Sequence, residues 1–186
     1  VRFGRFDEIL QVTERPSQEV SGGMWDFAQG YAHMRNGDID FANVYLNRVL
    51  GLAETSTARF RFDSAKLLLG TLGAILEGEI YRVSGDPEKA IASFERAVSL
   101  EDDLEFSEPE PLPFSARHWL GAVLLDVGRF TDAERIYREE LVDHPRNGWS
   151  LYGLSEALTG QGIVSSKTDF EESWRRSDTL IRASRF

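Results

Sequence analysis

One arrangement of apolar and polar positions occurs three times along the chain. An apolar run carries a glycine in its middle and ends at a second glycine. A polar start follows, then an alanine, then a larger apolar residue. The anchors are Gly30, Gly37, Ala42 and Leu46; Gly78, Gly85, Ala90 and Phe94; and Gly121, Gly128, Ala133 and Tyr137, spaced seven, five and four residues apart each time. The apolar positions within each run recur at helical spacing, which predicts amphipathic helices. The second glycine falls where a helix C-terminal cap belongs. Asp38, Asp86-Pro87 and Thr131-Asp132 then open the following helix, with Asp86 as an N-cap and Pro87 at the first helical position. A glycine inside a helix costs roughly 1 kcal/mol against alanine, so Gly30, Gly78 and Gly121 predict another helix passing close by. Each unit therefore reads as two antiparallel helices joined by a tight turn.

Gly78-x6-Gly85-x4-Ala90-x3-Phe94-x2-Ala97 and Gly121-x6-Gly128-x4-Ala133-x3-Tyr137, with Pro145 after the latter, resemble the tetratricopeptide repeat. The resemblance implies an all-α, right-handed solenoid of antiparallel helix pairs. On this reading residues 1–186 form one array. Residues 1–20 are the second half of a truncated unit, 21–52 a unit, and 56–100 a unit with an elongated first helix. An acidic, proline-containing connector follows at 101–113, then a unit at 114–145, and at 147–186 a partial unit with a closing cap helix. The repeat period of the family is about 34 residues, whereas Ala42 to Ala90 is 48 and Ala90 to Ala133 is 43. The extra residues are placed in a long helix from Ser56 to Ser84 and in the connector, where Pro109, Pro111 and Pro113 bar helix. The Gly-Arg-Phe at Gly4–Phe6 repeats that at Gly128–Phe130, with almost nothing before it. This suggests the C-terminal part of a longer, bacterial-type array. In the last unit, a helix ending at Gly162 precedes a cap helix around Phe170 and Trp174, with Trp174 packed on the preceding unit.

Composition narrows the function. A net charge of −10, from 31 acids and 21 bases, repels phosphate backbones and makes nucleic acid a poor partner. No apolar run reaches the length of a membrane span, which excludes membrane insertion and fits a soluble protein, cytoplasmic or exported. There is no cysteine, hence no disulfide, thiolate nucleophile or thiolate-bound zinc.

Candidate chemistry is sparse. The acids of EDDLEFSEPEP (101–111) could be read as a calcium site, but the EF-hand order and its central glycine are missing. A solvated connector, with Asp102 and Asp103 ending a helix, is the better reading. His33, His118 and His144 have no metal-ligand spacing, and no nucleophile or phosphate-loop motif accompanies them. No catalytic residue, metal site or cofactor is expected, and the chain is not expected to be an enzyme. By resemblance, first helices line a concave groove. The positions assigned to it are Phe27, Tyr31, Glu79, Arg82, His118, Tyr152 and Glu156, an aromatic lining with acidic punctuation. The implied function is a scaffold that binds a protein or an extended peptide of basic character. The alternative is a regulatory or small-molecule-binding array attached to an upstream functional domain.

Overall fold

The computed structural model describes residue 1, residues 3–163 and residues 168–186. Arg2, inside the stretch read as a helix tail, and 164–167, inside the closing unit, lie outside the described residues. The chain divides into two compact units, Val1–Ala116 and Arg117–Phe186.

In the first unit, α1 (Phe6–Gln11), α2 (Glu19–Arg35) and α3 (Ile39–Thr55) precede a short antiparallel hairpin of β1 (Arg59–Phe60) and β2 (Asp63–Ser64). Helices α4 (Ala65–Val83) and α5 (Pro87–Asp102) follow. Helix α2 packs on α3, α3 on α4 and α4 on α5, and α2 also meets α4, so the first helices of successive pairs are neighbours. In the second unit α6 (Arg117–Asp126), α7 (Phe130–Asp143), α8 (Gly148–Gly160) and α9 (Thr168–Trp174) follow the same order of contacts, with α6 against α8. This is an all-α helical repeat. No helix among the described residues is long and apolar enough to cross a membrane.

The interhelix turns have a common construction. Gly37, Gly85, Gly128 and Gly162 all take positive φ, between 75° and 86°. The next N–H reaches back to the last helical turn in each case: Asp38 to His33 O, Asp86 to Tyr81 O, Arg129 to Leu124 O and Ile163 to Leu158 O, at 2.8–2.9 Å. This bond closes the helix and satisfies a carbonyl that would otherwise have no partner, and the left-handed cap residue favours glycine. Asp86 accepts the Lys89 N–H as the expected N-cap. Helix α7 instead starts at Phe130, and Thr131 and Asp132 lie inside its first turn.

The mid-helix glycines are points of close approach. A Cβ on Gly121 would overlap the Tyr137 ring, with Cε1 2.6 Å away, and one on Gly78 would overlap Phe94. The glycine and the aromatic residue sixteen positions later are thus the two sides of one contact. At Gly30 the neighbours are Leu76 and Tyr45 rather than Leu46.

The elongated helix expected from Ser56 starts instead at Ala65. Ser64 is extended (ψ 152°) and its hydroxyl accepts the Leu67 N–H, which caps α4 there. The residues before it form the hairpin, whose buried Asp63 accepts the Glu105 N–H at 2.9 Å. Helix α1 is docked on α2: Gln29 donates to Ile9 O and Val12 O, Trp25 Nε1 donates to Val12 O, and Phe6 stacks on Tyr31. Arg15 forks onto the buried Asp26 carboxylate, 2.7 Å at its closest. Phe3 is exposed.

A candidate binding surface on the second unit

The seven positions assigned to a groove have different fates. Phe27, Tyr31, Glu79 and His118 are buried, so their side chains offer no open surface; they build the core. Tyr31 is flanked by Phe6 (5.8 Å, stacked) and Phe27 (5.8 Å, edge-on), and Phe27 lies beside Phe114. Tyr31 Oη donates to Glu79 Oε2 at 3.5 Å, and Arg82 forks onto both Glu79 oxygens at 2.8 Å. Three expected groove residues therefore meet, but as a closed polar knot in the first unit. A buried carboxylate is tolerable when paired and hydrogen-bonded in this way.

His118 belongs to a second knot, between α6, α7 and α8. Its Nε2 lies 3.0 Å from Ser150 Oγ and 3.6 Å from Glu140 Oε1. Ser150 also donates to Glu140 Oε2, and Asn147 Nδ2 donates to Glu140 Oε1 at 3.0 Å. His144 Nδ1 lies 3.0 Å from the same oxygen. Burial pushes the Glu140 carboxyl up, but hydrogen bonds from His118 and Ser150 and the charges of His118 and His144 outweigh it, leaving it below its ordinary value. The residue types suggest a nucleophile relay, but the geometry does not form one. A relay places hydroxyl and carboxylate on opposite ring nitrogens. Here both approach Nε2, while His118 Nδ1 is buried without a partner among the described residues. The knot is a buried polar cluster in the core of the second unit, without the geometry of a relay.

Tyr152 and Glu156 lie one helical turn apart on α8 and are half-buried. With Asp126 at the end of α6, and with Ala122 and Leu125, they line an open depression of about 340 Å³. Its far wall comes from Arg182–Arg185, a stretch without helix or strand. Tyr152 Oη donates to Arg182 O at 3.3 Å, Arg185 pairs with Asp126 at 3.0 Å, and Phe186 meets Trp119 edge-on at 5.0 Å. Sequence reading missed this wall, because an irregular segment has no hydrophobic period to betray its docking. Nearby, Trp174 packs edge-on against Trp149 at 4.7 Å and covers Gly148. Among the described residues no three histidine, aspartate or glutamate side chains converge as metal ligands would.

Residues 75–148 match the family model described as tetratricopeptide repeat. Over these residues the chain carries tetratricopeptide repeats. The matched stretch holds Gly78–Phe94 and Gly121–Tyr137, the two glycine–aromatic contacts found above. Tetratricopeptide repeats generally mediate protein–protein interaction or scaffolding, and the family is typically non-catalytic. No curated protein and no solved structure matches the chain. The pair α2–α3 lies outside the matched stretch, yet its turn at Gly37 has the same closing bond as the tetratricopeptide turns at Gly85 and Gly128.

Proposed function

We propose that the chain is a protein- or peptide-binding scaffold without catalytic activity of its own, and that it binds through the surface of Asp126, Tyr152 and Glu156. The observation that carries this reading is the open aromatic-and-acidic depression between α6 and α8, on first helices of the repeat. A half-buried tyrosine supplies apolar area and a hydroxyl at low entropic cost, the usual make-up of a binding anchor. Two carboxylates beside it, on a chain of net charge −10, favour an extended partner segment carrying lysine or arginine. Affinity then falls as salt screens the charges.

The test is to capture a binder with the tagged chain and measure its affinity for variants. Tyr152→Ala and Asp126→Asn each weaken it by roughly tenfold, equal to about 1.4 kcal/mol. Glu95→Lys, on the exposed face of α5, leaves it unchanged. Binding that survives both groove variants and is abolished by Glu95→Lys overturns the proposal.

A further inference from the structure

The stretch that walls the depression is bound to it as a ligand would be. Beyond α9 the chain has no regular structure, and Leu180 is 76% exposed, but Ile181 and Ser184 are buried. Three chemically distinct contacts hold residues 184–186. The first is a buried hydroxyl relay. Ser184 Oγ lies 2.8 Å from His118 O, which can only accept, so the single serine proton goes there. Tyr137 Oη, 2.7 Å from Ser184 Oγ, is then the donor to serine. Burial raises the Tyr137 phenol above its ordinary value, so it keeps this proton. The second contact is the ion pair of Arg185 with Asp126. The arginine side chain is 13% exposed and the aspartate 47%, so the pair lies at the rim. The third is Phe186, edge-on to Trp119 at 5.0 Å and to Trp149 at 6.4 Å. Upstream, Arg182 lends its carbonyl to Tyr152.

Each contact reads a feature of a side chain. The relay requires a small hydroxyl residue, because His118 O and Tyr137 Oη, both buried in the relay, would otherwise lose a partner. Asp126 selects a cation, and the indole pair selects an aromatic ring. Trp119 is wholly buried with the segment in place. Whatever replaces the segment must cover the same indole.

We propose that residues 181–186 are a displaceable ligand supplied by the chain to its own binding surface, and that the partner of this surface is an extended protein segment of the same chemistry, a small hydroxyl residue followed by arginine and an aromatic residue. This rests on the scaffold reading above and gives its partner a chemistry. A tethered segment competes at an effective concentration on the order of millimolar. When tethered and free segments share a micromolar intrinsic affinity, the free segment is therefore held off by up to about a thousandfold until the tether lets go.

The experiment uses the full chain and a fluorescent peptide of residues 179–186, Thr-Leu-Ile-Arg-Ala-Ser-Arg-Phe. The wild type binds it weakly. The double variant Ser184→Glu/Arg185→Glu, whose own segment no longer fits, binds it at least about tenfold more tightly, and adding Asp126→Arg removes that gain. A folded double variant that binds no better than wild type overturns the proposal. Local opening is read separately. The chain has no cysteine, so Ser184→Cys and Ala133→Cys each carry a single buried thiol. Ser184→Cys is expected to react with a thiol reagent at least about a hundredfold faster than the core position. Equal rates, or a double variant that cannot fold, make the segment a fixed strap and overturn the self-ligand. A surface that captures a partner through Tyr152 and Asp126 yet ignores this peptide leaves the scaffold standing without it.

Discussion

A glycine inside a helix gives up backbone entropy and costs roughly 1 kcal/mol against alanine, so its neighbours decide whether it is a defect or a requirement. Gly121 faces the flat of the Tyr137 ring, and Gly153 faces the same ring from α8. The ring is buried and abuts both glycines, so it has no room to yield. Gly121→Leu is expected to cost about 3 kcal/mol or more, the upper end for overpacking, read as a fall in melting temperature. Gly51, inside α3, has open space where a Cβ would be. Gly51→Ala should add about 0.5–1 kcal/mol. An unchanged melting temperature for Gly121→Leu would overturn the repeat register. The register is legible in the sequence because each close contact leaves two marks, a small residue and a large one, at fixed separation.

At the scale of elements, the acidic residues in the last turn of α5 and beyond it have unequal duties. The Glu101 carboxylate accepts the Ala116 N–H at 2.9 and 3.0 Å and the Ser115 hydroxyl at 3.1 Å. It thereby ties the end of α5 to the residues that follow the connector. Glu105 and Glu108 are exposed. Glu101→Ala should destabilise by about 1–2 kcal/mol, the scale of hydrogen bonds to a charged group that is not fully buried. Glu105→Gln with Glu108→Gln should stay within about 0.5 kcal/mol of wild type. Denaturant titration separates the two, and equal effects would defeat the assignment. The sequence marks this stretch as acidic and proline-rich. It does not mark which carboxylate finds a backbone N–H, because that partner lies fifteen residues away and is brought near only by folding.

For the whole molecule, acidity acts through the buried knot around Glu140. Its carboxyl is held below the ordinary value in the folded state. A depressed carboxylate contributes stability above its unfolded value and loses it as pH falls through the folded one. Thermal melts of the wild type are therefore expected to drop as pH falls below the ordinary carboxylate value of 4.5. Glu140→Gln should be less stable at pH 7 and flatter over that fall in pH, with breakage of a buried pair costing about 3 kcal/mol. A variant with the same slope as wild type would place the acid response elsewhere.

The sequence by itself determined the helix pairs, their glycine turns and the passage of another helix close to Gly78 and Gly121; that Phe94 and Tyr137 fill those places is seen in the structure. The first three depend on residues near in sequence, through periodicity, left-handed caps and steric room. Tertiary structure decided which polar residues face solvent. Tyr31, Glu79 and His118 stand at positions the repeat assigns to an open face, yet each is buried with partners from other elements. It also decided that α4 begins at Ala65, since Asp63 is engaged by the backbone of Glu105. Above all it set an irregular segment against Asp126 and Tyr152. Hydrogen bonds and ring contacts between distant residues carry no period in the sequence, so only the packed chain could bring them together.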